Sequence, residues 1–230
     1  MSLTFKQIAD AVMGELGVAA QDQYFGNTST QETRLTALAN RAIKILGQEG
    51  YTSLKTLGTI TMTSATTYDL PADFMYLVPD TMNADGQWRP INMPVTSQHW
   101  YQLQARHGID GIRYKARIIG DQLEVNSPES GVDLIFEYLT KNVVQSTGSA
   151  SPDKERFSKD TDTWLLDDDL LIMDLKWRFM QSLNLDWQTP LAELKAYKLR
   201  LRGLEGGSQT IQMGMGVSDP VVDPYYELYR

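Results

Sequence analysis

Apolar residues recur every three or four positions near both ends of the chain and every second position in its middle. That change of period sets the expected architecture. In "LTFKQIADAVMGELG", residues 3–17, Phe5, Ile8, Val12 and Leu16 fall on one helical face and Thr4 is placed to cap it. A polar stretch, "AAQDQYFGNTST", leads to a second helix over 30–48. There Leu35, Leu38, Ala42, Ile45 and Leu46 form the stripe, and "GQEG" stops it. From Gly50 onward the composition turns to Thr and Ile with turn residues interspersed, as in "SLKTLGTITMTSATTYDL", which predicts short strands. In "DLPADFMYLVPD", Pro71 and Pro79 bracket an apolar run, the mark of an edge strand or an irregular segment.

A short helix is expected from Thr96 or Ser97 in "PVTSQHWYQLQARHG". Two alternating segments follow. Tyr114, Ala116 and Ile118 share one face, with Leu123 and Val125 resuming beyond Gly120-Asp121, a dipeptide suited to a two-residue hairpin turn. Val132, Leu134, Phe136 and Tyr138 share the next face. Residues 145–162 are polar with Gly, Ser and Pro, hence a loop. Helical spacing returns over 167–185 and again over 190–202, where Thr189 is the expected cap and Pro190 the first helical residue. The last segment, 206–230, has four glycines, two prolines and little periodicity, and is expected to be an extended arm that does not fold by itself. The fold class is α+β: one domain over 1–205, a helix bundle with a small antiparallel β unit inserted over 51–144, and an extended C-terminal arm over 206–230.

Charge and composition narrow the function. A net charge of −8 argues against wrapping nucleic acid by counterion release, which needs a basic face, but is compatible with surrounding DNA without gripping it. The absence of cysteine removes disulfides, thiolate nucleophiles and Cys-ligated zinc. No run approaches the roughly 18 apolar residues of a membrane span, and "MSLTFKQIAD" lacks a signal-peptide pattern, so a cytosolic origin and no membrane partner are expected. "NTS" at Asn27 matches a glycosylation acceptor, which carries no meaning without secretion.

A catalytic set is missing from the pattern. His99 and His107 read as two partly exposed imidazoles beside a short helix rather than as joint metal ligands. "GMGVSD" offers two of three dinucleotide-binding glycines but follows no strand and opens no helix. "DTDTWLLDDDLL" begins like a calcium loop with Asp160 and Asp162, then places Trp164 where a ligand belongs and Leu165 where Gly belongs. No enzymatic activity, cofactor or metal is expected.

Asp167–Asp169 instead read as a helix start, where negative side chains meet unsatisfied N–H groups and the positive end of the macrodipole. Behind them Leu171, Leu175, Phe179 and Leu183 follow i, i+4 spacing, and Leu170, Trp177, Met180 and Trp187 widen the apolar surface. That exceeds the needs of a surface helix. Either the helix is central and packed on two sides, or one flank meets another subunit. For the second case Lys176, Trp177, Arg178 and Trp187 are the subunit-interface candidates. In the arm, "DPYYELYR" groups Tyr225, Tyr226 and Tyr229 behind a Gly-rich lead. Tyr anchors interfaces at low entropy cost, so an arm that orders on a partner is favoured over a tail with incidental aromatics.

Four blocks in order carry a family resemblance: "DLPADFMYLVPDTM", "WRPINMPVTSQHWYQLQA", "RIIGDQLEVNSPESGVDLIFEYLTKNVV" and "TDTWLLDDDLLIMDLKWRFMQSLNLDW". They resemble the successive signatures of tailed-phage head-to-tail adaptor (connector) proteins of the SU10 type, akin to P22-type tail adaptors. The likeness covers roughly residues 1–202. One departure lies at Asp167-Asp168, where the family has Pro-Glu; an Asp there still caps.

The resemblance implies a structural protein of the virion at the head–tail junction, made in the host cytoplasm. It implies a homo-oligomer, a twelve-fold ring beneath the portal protein that extends the DNA channel and carries tail or nozzle proteins. It also implies that the C-terminal extension docks on the portal, with Tyr225, Tyr226 and Tyr229 as its portal-binding residues, and that DNA passes through without sequence-specific binding. The acidic balance suits a channel that must release DNA. The reading from another class is a non-enzymatic, β-rich binding module with a disordered tail.

Overall fold

The computed structural model describes residues 2–86, 91, 96–105, 114–126 and 128–205. In chain order the elements are α1 (Phe5–Glu15), α2 (Thr30–Gly47), a 3₁₀ turn (Thr52–Leu54), β1 (Lys55–Thr61), β2 (Thr67–Asp69), β3 (Phe74–Leu77), β4 (Asn83–Ala84), α3 (Ser97–Ala105), β5 (Ala116–Ile119), β6 (Gln122–Val125), β7 (Asp133–Thr140), β8 (Val144–Gln145), β9 (Thr163–Trp164), α4 (Asp168–Ser182) and α5 (Gln188–Glu205). The class is mixed α+β, and every strand pairing among the described residues is antiparallel.

Local chemistry sets the helix ends. Thr4 caps α1 in a reciprocal capping box: the Gln7 N–H donates to Thr4 Oγ1 at 3.3 Å and the Thr4 N–H donates to Gln7 Oε1 at 2.9 Å. Both α1 and α4 stop earlier than their periodicity suggests, and by the same device. At the end of α1, Gly17 turns left-handed with φ 69°; its N–H bonds to Gly14 O and that of Val18 bonds to Met13 O. At the end of α4, Asn184 does the same with φ 56°, its N–H bonding to Gln181 O and that of Leu185 to Met180 O. The 167–185 helix therefore ends at Ser182, and Leu183 and Leu185 belong to its terminating motif.

The α5 boundary also differs from expectation. The helix begins at Gln188, so Thr189 lies inside it and Pro190 is its third residue. The Gln188 N–H donates to Asp186 Oδ1 at 3.2 Å, which supplies the capping contact expected of Thr189. Pro190 is still tolerated, because the third N–H of a helix has no partner within the helix either.

Two apolar cores result. In the first, α4 packs against α1, α2 and α5. Phe5, Ile8, Val12, Leu35, Ile43, Leu171, Leu175 and Phe179 lie within it, together with Phe157 and Trp164 from the loop side. The buried stripe of α2 is phased differently from the sequence pattern. Ala39 and Ile43 are buried with Leu35, Ala42 and Leu46, while Leu38 and Ile45 are half-exposed. Small Ala39 and Ala42 let the helix backbone approach its neighbours, a packing advantage that hydrophobicity alone does not rank.

The second core lies within the β unit. Strand β7 is central to one sheet, with β1 along one edge and β3 then β4 along the other. The edge-strand reading of "DFMYL" thus holds, with an irregular register between Phe74 and Tyr76. β5 and β6 form the expected hairpin, with Gly120 alone at positive φ (59°), as a tight turn with Gly first requires. Leu134, Phe136 and Tyr138 of β7 face this core, whereas Leu139 faces the helical one, so a single strand joins both. The polar loop 145–162 is bounded by β8 and β9, a short ladder that the sequence pattern did not suggest.

One close approach fixes the β1–β7 register. Gly58 lies opposite Phe136, and a Cβ at Gly58 would sit 2.7 Å from two atoms of that fully buried ring. The ring has no room to retreat, so Gly58→Ala is expected to destabilise the fold by about 1–3 kcal/mol. Urea denaturation checks this, and adding Phe136→Leu should recover part of the loss. A cost below about 0.5 kcal/mol, the scatter of ordinary surface changes, would show that the contact is slack.

Candidate assembly surface

The helix α4 and its flanks hold most of the residues singled out from the sequence. At its start the three aspartates divide their work. Asp167 is the N-cap: its Oδ1 accepts the Leu170 N–H at 3.0 Å and the Tyr197 O–H at 2.8 Å, which ties α5 to the same corner. Asp168 accepts the Leu3 N–H at 2.9 Å and so holds the N-terminal strand segment against the helix. Asp169 is exposed. Partial burial, reinforced by the neighbouring aspartates, pushes the Asp168 carboxyl above its ordinary value despite the bonds from Leu3 and Ser2. Burial and the bond to Asp167 push the Tyr197 phenol up to about 12.

The two carboxylates that imitate a calcium loop are also spent inside the subunit. Asp160 accepts the N–H groups of Tyr24 and Phe25, both at 3.0 Å. Asp162, fully buried, accepts from Ser158 N, Lys159 N, Ser158 Oγ and Lys154 Nζ at 2.8–3.2 Å. These carboxylates organise the 20s and 150s loops over Phe5. Among the described residues no group of three or more His, Cys, Asp or Glu side chains is placed to hold a metal ion. His99 is exposed on α3, and His107 lies outside the described residues. No helix among the described residues is long and apolar enough to cross a membrane.

The four interface candidates are sorted by their surroundings. Arg178 is 9 % exposed and grips Asp174, one helical turn back, through Nε and Nη2. Its guanidinium also lies 4.6 Å from the centre of the Trp177 ring. Lys176 pairs with Glu15 of α1 at 2.7 Å. Both cations therefore have their partners within the subunit. Trp177 donates its indole N–H to Asp174 Oδ1 at 3.0 Å, and its ring packs against Trp187 with centroids 6.3 Å apart. Both indoles remain half-exposed. Asp174 was not singled out from the sequence. The signal was available, a lone carboxylate in an apolar helix four residues before an Arg.

Four leucines of α5 and the turn before it are also exposed. Leu183 and Leu185 at the α4–α5 turn are 40 % and 49 % exposed, and Leu199 and Leu204 on α5 are 66 % and 72 % exposed. α5 is held at its other flank by Lys198 and Arg202, both paired with Glu49 after α2. The helix is thus fixed in place while presenting leucines outward. Tyr225, Tyr226 and Tyr229 lie outside the described residues. No protein-family model matches the chain, and no curated protein matches it in sequence.

Proposed function

We propose that this chain is a structural protein of the virion, a head-to-tail adaptor that assembles as a ring beneath the portal, extends the DNA channel and offers a platform to tail components. The observation that carries the reading is the pair of exposed leucines at the α4–α5 turn, Leu183 and Leu185, next in sequence to the half-exposed Trp177–Trp187 pair, with Leu199 and Leu204 as further exposed apolar side chains along α5. Exposed large apolar side chains grouped at a helix turn mark subunit contacts. A ring needs two unlike faces per subunit. In this reading α1, α2, α4 and α5 are the adaptor bundle, the β unit is its insertion, and the Tyr-bearing arm at 206–230 reaches the portal. The four ordered sequence blocks support the same assignment, and the acidic balance favours passage of DNA over its capture.

The test is assembly with the cognate portal. The chain alone and the chain with portal are compared by native mass measurement and cryo-electron microscopy. A ring seated on the portal is the expected result; a chain that stays monomeric with portal present would sink the proposal. Deleting residues 207–230 is expected to abolish portal attachment with no change in the melting transition, and unchanged attachment would refute the arm's role.

A further inference from the structure

Away from the apolar surface, the end of α2, strand β3 and the 150s loop enclose a groove of about 200 Å³. Its apolar lining is the half-buried Met75 over the buried Ile43 and Val143, and its rim carries Lys44, Lys141 and Arg156 together with the carboxylate of Glu155. Lys141 makes a 3.5 Å surface pair with Glu155, a contact of little energetic weight. Lys44 and Arg156 are exposed and have no ion-pair partner among the described residues. On a chain of net charge −8, three cations to one carboxylate around the half-buried Met75 is a local reversal of sign. It fits an acidic segment that also carries apolar side chains.

The chain owns such a segment. "SDPVVDPYYELYR", residues 218–230, alternates Asp219, Asp223 and Glu227 with Val, Leu and Tyr, against a single basic residue, Arg230. The groove is also where that segment's tether begins. Arg202, in the last turn of α5, contacts Glu49, and Glu49 follows Gln48, which lines the groove. Between Glu205 and Asp219 the chain is Gly-rich, and a linker of that length has a root-mean-square reach of roughly 20 Å. Tethering at that distance gives an effective concentration in the millimolar range, enough for a weak contact to be occupied.

We infer that residues 218–230 dock in the Lys44–Lys141–Arg156 groove of their own subunit, with the carboxylates on the rim and a Tyr side chain over Met75. The groove then holds the arm against its own subunit. This inference stands without the adaptor reading, since it needs only the subunit itself.

The chain's lack of cysteine makes the test clean, because Ser218→Cys provides a unique position for a nitroxide label on the full chain. The expected result is paramagnetic broadening of amide signals concentrated at Gly47, Gln48, Met75 and Val143. It should weaken severalfold at raised ionic strength and be lost with Lys44→Glu and Arg156→Glu together. Both replaced side chains are exposed, so the rest of the amide spectrum should be unchanged. Broadening spread over the whole surface, or surviving charge reversal, overturns the inference. So does broadening that passes from labelled chains to unlabelled, isotope-enriched ones in a mixture, which would make a second copy the occupant. Portal attachment is measured separately, so failure here leaves the adaptor reading standing, and the reverse holds too.

Discussion

Replacing Asp174 with Ala is expected to destabilise the chain by about 3–5 kcal/mol, the usual cost of leaving one member of a buried ion pair behind. Asp174 is 1 % exposed and Arg178 is 9 % exposed, at the centre of a helix that packs against three others. The Asp174 carboxylate takes the Nε and Nη2 hydrogens of Arg178 and the indole hydrogen of Trp177. Without it the guanidinium keeps the face of the Trp177 ring and only slight contact with solvent. The paired replacement Asp174→Leu with Arg178→Met should be far milder, within about 1 kcal/mol of wild type, because it removes both charges and keeps apolar volume. Urea unfolding of the three proteins measures this. If Asp174→Ala and the double variant lose the same stability, the pair is not the source of the effect and only packing volume is.

The same pair shows how far the sequence could be read. The sequence pattern placed all five helices and the alternating strands, because the apolar spacing and the turn residues that mark them are written locally. The caps at Thr4 and Asp167 were legible for the same reason, since both partners lie within three residues. What the sequence left open depends on contacts between distant segments. The phase of the α2 stripe is set by which side meets α4, so Ile43 is buried where Ile45 looked equally suitable. The end of α4 was overrun because Asn184, rather than a Gly, takes the left-handed position. Among the interface candidates, Lys176 finds Glu15 on a helix far away in sequence, and nothing local announces that partner. Trp177 and Trp187 pack against each other, a contact that only the folded chain shows.

Asp162→Ala is expected to cost about 3 kcal/mol or more, from several bonds to one buried carboxylate lost together. Ser158 N, Lys159 N and the Lys154 ammonium all converge on that side chain, while the Asp162 backbone carbonyl accepts the Phe5 N–H at 2.7 Å. The 150s loop would lose its internal anchor, and with it the seating of Phe157 against Phe5, whose rings lie 4.9 Å apart. Acid should report the same group. Burial by itself would raise the Asp162 carboxyl, but the N–H groups of Ser158 and Lys159 and the charge of Lys154 outweigh it and hold its pKa below the ordinary value. A carboxyl depressed in the folded state adds stability that is complete above the unfolded pKa, near 3.9, and is lost as pH falls through the lower folded value. Wild type should therefore lose stability steeply below about pH 4, with Asp162→Asn showing a shallower slope over that window. Asp168 supplies the opposite sign. Its carboxyl is raised, so its ionisation opposes folding, and the folded state gains relative stability as pH falls through the interval between its unfolded and folded values. Asp168→Asn should accordingly steepen the loss of stability in the window just above the one that Asp162→Asn flattens, between the unfolded and the raised folded value of Asp168. Equal slopes in wild type and Asp162→Asn would remove Asp162 as the acid-sensitive anchor of this loop.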